Sequence, residues 1–332
     1  MKVLRFGLLG LGNFGKHYVR LLQELEGVKL IAVANTSKEV FHGIKNPLPQ
    51  SVIKTTDPLQ IINNREIDCV VIATPPSTHF SLAQKAINAG KNVLLEKPMV
   101  TNLGEAKELM SIVEKSNNTF MVGHQYLYND HIRYLKKEIE GGSLGSIYTV
   151  IADHVYFGPI RYDVGCFLDA GTHILSLIHY LFNPEKIAKV SGNSVKFNKK
   201  GCDDFTQVTV NFENSLIVNM RTSWFIPEKV RKFTIVGEKG IGVFDDLAEK
   251  EKLKFFYRPY PQTTTSGTHS HFLTELSKIQ PVVPVVIDHE PLRNELEHFI
   301  DCIRKRETPL TGIKDSYVIA EWIDTITTKV EK

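Results

Sequence analysis

Arg5-Phe-Gly-Leu-Leu9-Gly10-Leu-Gly12-Asn-Phe-Gly15 decides how the first third of the chain is read. A short apolar run gives out into three glycines in the pattern G-x-G-x-x-G, and a helical pattern starts at the last of them. Strand, glycine turn and helix in that order are the opening of a βαβ unit. Outward from it, the apolar runs Val28 to Ala34, Asp68 to Thr74, Asn92 to Leu95 and Phe120 to Val122 alternate with helical stretches. That alternation predicts a parallel sheet with crossover helices, doubly wound. Ser77 is the expected N-cap of a helix through Ala89, and Gly90 its stop.

Beyond Gly123 the pattern changes. Helices are expected at about 130–140 and 167–182, with strand-like runs around and after them. Val208, Val210 and Phe212, then Leu216, Val218 and Met220, alternate with polar residues, as in an antiparallel sheet with one face buried. Helices at about 290–306 and 315–330 follow. The fold class expected is α/β. Residues 1–122 would form a doubly wound Rossmann domain. Residues 123–332 would form an α+β substrate and oligomerisation domain with a largely antiparallel open sheet, the last helices being free to pack back on the first domain.

The bulk numbers narrow the function. A formal net charge of +3 from 40 basic and 37 acidic residues is too small and too dispersed to predict a nucleic-acid partner. No apolar run approaches a membrane span, and the glycine-broken stretch Phe6 to Leu11 lacks the form of a signal peptide. Cys69, Cys166, Cys202 and Cys302 show neither disulfide nor zinc spacing, which favours a cytoplasmic setting and no metal. His269 and His271 stand in a Thr/Ser-rich stretch without carboxylates and read as a polar loop.

The candidate chemistry sits at strand ends and on one helix. Gly10, Gly12 and Gly15, with Asn13 and Phe14 between them, suit a turn that lets a dinucleotide diphosphate meet backbone N–H groups at a helix N-terminus. An acid is expected about 20 residues on, to bind the adenosine ribose. Here Asn35 takes that place, followed by Thr36 and Ser37, so NAD is expected and NADP stays open. The segment Ala73 to His79, with Thr74 and Pro75, turns over the same crevice. Val93-Leu-Leu-Glu96-Lys97-Pro98 ends a strand on an acid and a lysine, delivering an ammonium to the cofactor. Asp169 and His173 are spaced i, i+4 on a predicted helix and share a face with Ser176 and Tyr180. A histidine beside a carboxylate suits a general base.

In this order these motifs resemble the Gfo/Idh/MocA oxidoreductases, over nearly the whole chain. The resemblance implies that Lys97 and His173 flank a substrate hydroxyl beside the nicotinamide, with Asp169 a further active-site residue. It extends Glu96, Lys97 and His79 into the cofactor-binding set. A narrower likeness, carried by Gly123-His124-Gln-Tyr-Leu-Tyr128, Gly158-Pro-Ile-Arg161-Tyr-Asp163, Ser223-Trp224 to Arg231 and Asp245-Asp246, is to bacterial nucleotide-sugar 3-dehydrogenases. It implies a UDP-sugar substrate, UDP-GlcNAc before its uronate because Thr172-His173-Ile174 stands where Pro-His-Asp is expected. Lys97, Tyr128, Arg161, Asp169 and His173 would contact that substrate, Arg161 holding the diphosphate bidentately. A free-sugar or inositol dehydrogenase and a dinucleotide-dependent sensor are the alternatives. A homodimer or homotetramer through the second domain is expected from its free sheet face.

Overall fold

The computed structural model describes residues 2–42, 47–158, 161, 163–197, 202–257 and 280–330. His269 and His271 lie outside them. The chain divides into two compact units: residues Met1–Gln125 with Leu292–Asp324, and residues Tyr126–Pro291 with Thr325–Lys332.

The first unit carries six strands: β1 (Leu4–Leu9), β2 (Val28–Ala34), β3 (Ile53–Thr55), β4 (Cys69–Ile72), β5 (Asn92–Glu96) and β6 (Phe120–Gly123). All pair in parallel, in the order β3-β2-β1-β4-β5-β6. This is the doubly wound order, whose direction reverses between β1 and β4 and leaves a crevice at their carboxyl ends. The central strand β4 is buried at every residue because helices cover both faces, so its sequence is continuously apolar. Helices α1 (Gly15–Glu24), α2 (Pro58–Ile62), α3 (His79–Asn88) and α4 (Leu103–Glu114) supply those layers. On one side Ala83, Ala86 and Leu109 pack against Val70, Ile72, Val93 and Leu95.

Local chemistry starts and stops these helices. Asp57 and Asn102 cap α2 and α4 by accepting from Leu59 and Glu105 N–H, both at 2.9 Å. Ser77 does not cap α3. A 3₁₀ turn over Pro76–Thr78 intervenes, and the Thr78 hydroxyl turns back to Pro75 O at 2.8 Å instead. Gly90 ends the helix at φ +75, where a Cβ would be strained.

The late helix α7 (Pro291–Lys305) counts with the first unit from Leu292 on. Phe299 sets its ring edge-on to Phe6, centroids 6.3 Å apart. The loop after α7 closes the sheet: Val122 N–H donates to Thr311 O at 2.9 Å, and Thr311 Oγ1 donates to Val122 O at 2.6 Å. Those bonds occupy the free edge of β6.

In the second unit, β7 (Ile147–Phe157), β8 (Ile187–Val195), β9 (Phe205–Phe212), β10 (Ile217–Ser223), β11 (Phe225–Gly237), β12 (Gly240–Asp245) and β13 (Leu253–Tyr257) form one sheet. Its order is β13-β12-β11-β7-β10-β9-β8, antiparallel except for the β7–β10 pair. Alternation along β7 buries Val150, Ala152 and His154 and leaves Ile151 about half exposed, at 47%. The helix α5 (Asp130–Glu140) takes the predicted bounds, capped by Asn129, whose Oδ1 accepts from His131 N–H.

The helix predicted at 167–182 is two structures. Phe167–Gly171 is a π-helical turn, and α6 (Thr172–Phe182) begins after it. Asp203 anchors the wide turn, accepting from Phe167 N–H at 2.7 Å and Cys166 Sγ at 3.1 Å. A final helix, α8 (Ile313–Lys329), ends the described chain.

Candidate active site

The glycine turn is built to be approached. Gly10 adopts φ +93, and a Cβ there would lie 2.3 Å from Ala73 O; on Gly15 a Cβ would lie 2.1 Å from Gly10 O. Both glycines therefore serve close packing of the turn, β4 and α1. Gly12 differs: nothing lies within 4 Å of where its Cβ would be, and the residue is exposed. Helix α1 starts at Gly15 with no side-chain cap and no acidic residue in its first turn. An open glycine before an uncapped helix N-terminus fits a diphosphate, which takes the unpaired N–H groups and the positive end of the helix dipole.

Asn35 works on the turn itself. Its Oδ1 accepts from Leu11 N–H at 3.0 Å and its Nδ2 donates to Ser37 O at 3.1 Å, so one amide ties the glycine turn to the loop after β2. Thr36 is exposed and Ser37 half-buried on that loop. Pro75 is exposed and Thr74 half-buried on the loop after β4, where Thr78 Oγ1 donates to Thr74 Oγ1 at 2.7 Å.

Two residues of the expected cofactor set are turned inward. His79 is fully buried, and its ring nitrogens face Pro98 O at 2.8 Å and Thr74 O at 2.9 Å. Its ring thus ties the Thr74 loop to the turn after Lys97. A neutral ring donates one of these bonds; both together take the doubly protonated imidazole. Glu96, 7% exposed, meets the Tyr18 hydroxyl at 2.7 Å behind the strand end. Lys97, half-buried, follows it at the carboxyl end of β5.

The second unit assembles its own polar cluster around His173. The His154 ring stacks on that of His173, centroids 5.4 Å apart and 12° between planes. Tyr126 meets His173 edge-on at 5.0 Å and donates its hydroxyl to Asp246 Oδ2 at 3.0 Å. Arg231 Nη1 lies 3.4 Å from the same oxygen. Register explains the grouping: His154 on β7 pairs with Arg231 on β11, so both point to the buried face. Burial pushes the Tyr126 hydroxyl well up, and the neighbouring Asp246 charge adds to it, so the phenol stays protonated and donates.

Asp169 projects from the π-turn. Its oxygens lie 3.4 Å from Tyr156 Oη and 3.4 Å from Arg161 Nη1. Burial, then the Asp169 charge, raises the Tyr156 hydroxyl to about 12. Arg161 binds Asp163 through Nε at 3.0 Å and Nη2 at 2.7 Å, a bidentate pair that lowers the Asp163 carboxyl below its usual range.

Tyr128 and Ser176 are placed differently from expectation. Tyr128 is fully buried with the Arg133 guanidinium 5.5 Å above its ring. Tyr126, two residues earlier on the same 3₁₀ turn, is the one beside His173. Ser176, also fully buried, bends back to donate to His173 O at 2.9 Å. Sequence reasoning missed His154 and Tyr156, and it quoted Tyr126 and Asp246 only within motifs, without a role. The alternation Val150-x-Ala152-x-His154-x-Tyr156 was the available signal, polar residues continuing a buried face.

Among the described residues no group of three or more His, Cys, Asp or Glu side chains could hold a metal ion, and no helix is long and apolar enough to cross a membrane. All four cysteines are free.

Comparison with known proteins agrees with this division. Residues 4–124 match the Gfo/Idh/MocA oxidoreductase family model for the NAD-binding Rossmann fold, and residues 132–242 match the family's C-terminal domain. The chain is 25% identical over 337 residues to the scyllo-inositol 2-dehydrogenase (NAD(+)) of Bacillus subtilis, covering 96% of this chain and 91% of that one. An uncharacterised oxidoreductase of Streptococcus pneumoniae is 26% identical over 224 residues, 64% of this chain, and the match spans only 60% of that protein. In fold, the chain superposes on the UDP-N-acetylglucosamine 3-dehydrogenase of Acidithiobacillus ferrooxidans with a TM-score of 0.80 at 20% identity, covering 99% and 98% of the two chains. A glycine turn open to a diphosphate, a lysine at the end of β5 and the stacked His154 and His173 of the second unit, together with both family matches, establish that this chain belongs to the Gfo/Idh/MocA family of NAD(P)-dependent oxidoreductases.

Proposed function

We propose that the protein oxidises a secondary hydroxyl of a UDP-sugar, UDP-GlcNAc at C3 in the first instance, giving a 3-keto sugar suited to later transamination. NAD(P), when bound, accepts the hydride. His173 takes the hydroxyl proton as general base, and Lys97 stabilises the negative charge growing on that oxygen. Gly10 to Gly15 receive the cofactor diphosphate, with Asn35, Thr36 and Ser37 at its adenosine ribose. Asp169 acts as a further active-site residue.

The observation that carries the nucleotide-sugar reading is the pair of guanidiniums in the His173 cluster, Arg161 and Arg231, each held in place by a carboxylate. Fixed guanidiniums suit a diphosphate bidentately. The same pairing favours a second reading, because carboxylates beside both guanidiniums offset their charge and offer acceptors to hydroxyl groups. A free sugar or cyclitol would use exactly such acceptors, in keeping with the inositol dehydrogenase among the relatives. The test is initial reduction of NAD and NADP with UDP-GlcNAc, its uronate, free GlcNAc and scyllo-inositol. Turnover confined to UDP-GlcNAc supports the first reading. Equal rates with free sugar or inositol replace it with the second, and turnover confined to the uronate moves the substrate to the neighbouring class.

We also propose a homodimer or homotetramer through the exposed sheet face of the second domain, where Ile151 and Ile217 stand 47% and 38% exposed.

A further inference from the structure

Behind Lys97 lies a buried group of titratable residues that hydride transfer does not require. Tyr18 of α1 is fully buried, Glu295 of α7 is fully buried, and Glu96 of β5 is 7% exposed. Tyr18 Oη lies 2.7 Å from Glu96 Oε1 and 3.2 Å from Glu295 Oε1. Gly123 of β6 walls the group, since a Cβ there would stand 3.3 Å from Glu295 Oε1 and 3.4 Å from the Glu96 carboxyl. The phenol has one proton and so donates to one carboxyl only. The other must donate to it, and a carboxyl that donates is protonated.

The surroundings decide which. Burial raises the Glu96 carboxyl to about 7, and against that the Tyr18 hydroxyl and the Lys97 charge favour its anion; Glu96 Oε2 accepts from Lys97 N–H at 3.2 Å. Glu295 Oε2 has no hydrogen-bond partner, and the charged group nearest in effect is the Glu96 carboxylate, which repels a second anion. Burial first, and that repulsion second, push the Glu295 carboxyl well up. The titratable groups that act on it are therefore Tyr18 from α1 and Glu96 from β5, with Gly123 of β6 presenting no side chain.

We propose that Glu295 is a positioning residue for Lys97: it stays a protonated acid, donates to Tyr18 Oη, and so directs the Tyr18 proton onto Glu96, the single anion behind the lysine. The chain is Glu295 O–H to Tyr18 O–H to Glu96 carboxylate, with Lys97 N–H on its far oxygen. A substitution that keeps a neutral donor at 295 keeps the chain. One that removes the donor frees Tyr18 and Glu96 to rearrange.

Glu295→Gln and Glu295→Leu test this in the full-length protein. At about pH 8, above the Glu96 value of about 7, the infrared band of a protonated carboxylic acid should be present in the wild type and absent from Glu295→Gln. Stability gives a second readout. A carboxyl whose folded pKa is raised stabilises the fold below its unfolded value of 4.5 and loses that contribution as pH rises toward the folded value. From about pH 5 to 8 the wild-type folding constant should fall relative to Glu295→Gln, by up to about tenfold per pH unit.

Amine labelling of Lys97, read by mass spectrometry, reports position without a substrate. Glu295→Gln should match the wild-type rate, while Glu295→Leu should change it about threefold or more, with kcat lowered about tenfold and KM little changed. The kcat arm rests on the catalytic role proposed for Lys97; the other three do not. If no substrate is found, the labelling and infrared results still decide. No lost band, parallel pH–stability curves, or unchanged labelling in Glu295→Leu would each overturn the proposal.

Discussion

Gly10 and Gly12, both after β1, should respond to the same small change in opposite ways. At Gly10 an alanine must adopt φ +93, which costs about 1–2 kcal/mol for an L-residue, and its methyl would stand 2.3 Å from Ala73 O. That oxygen belongs to the main chain between β4 and α3 and cannot rotate away. Overpacking of this kind adds about 1–3 kcal/mol, so Gly10→Ala should lose about 2–5 kcal/mol, a large part of an ordinary domain's stability. Gly12→Ala meets nothing within 4 Å and has no left-handed φ to strain, so its unfolding free energy should stay within about 0.5 kcal/mol of wild type. Its methyl, however, occupies the space a diphosphate must enter to reach the N-terminus of α1. Dinucleotide affinity should fall about 10- to 100-fold, or about 1.4–2.7 kcal/mol. Urea unfolding of both variants, and fluorescence titration of Gly12→Ala with NAD, measure the two effects separately. Wild-type NAD affinity in a normally folded Gly12→Ala protein would refute the glycine turn as the phosphate cradle. An unchanged unfolding midpoint in Gly10→Ala would refute the rigidity assigned to the turn.

Lys97→Ala and His173→Asn should each lower kcat by about two to four orders of magnitude with dinucleotide binding kept, checked by steady-state kinetics beside NAD titration. Asn35→Asp should keep the acceptor for Leu11 N–H but lose the donor to Ser37 O; the new charge should shift preference toward NAD by like-charge repulsion of the 2′-phosphate, and unchanged NADP affinity would show that residue 35 does not face the ribose. Asp68, lowered to about 2 by Arg5 and Lys2 against the opposing cost of burial, stabilises the fold above its ordinary value of 3.8 and loses that contribution as pH falls toward 2. Discounted for solvent screening, Asp68→Asn should remove about 1 kcal/mol at pH 7 and flatten the acid limb of a thermal-melt series. Light scattering at micromolar protein should report a dimer or tetramer, and Ile151→Lys should shift it toward monomer.

Where periodicity carries the information, the sequence was legible. The apolar runs of β4, β5 and β6 are buried on both faces and announce themselves, and α5 follows directly from its cap and amphipathic spacing. β3 escaped because three residues show no period. The π-turn escaped because its cause lies 36 residues away, in the Asp203 carboxylate that holds Phe167 N–H. At the site, Gly10 to Gly15, Lys97 and His173 stand in motifs whose spacing is local. His154 and Arg231 become neighbours only through the β7–β11 register, and Glu295 meets Glu96 only because a helix from the end of the chain returns to the first sheet. Side-chain direction was likewise hidden: nothing in Thr74 to His79 reveals that the imidazole points into the core.

That returning segment also sets an order of events during synthesis. Residues 292–324 complete the first unit, yet the ribosome makes them after the whole second sheet. Until Thr311 emerges, Val122 has neither of its two bonds to that residue, and β6 presents a bare strand edge to any other nascent chain. Phe6 likewise lacks Phe299, and Tyr18 lacks Glu295. A cell making this protein therefore holds an unsealed parallel sheet for as long as translation takes to cover roughly half the chain, a period in which a chaperone has a defined surface to shield.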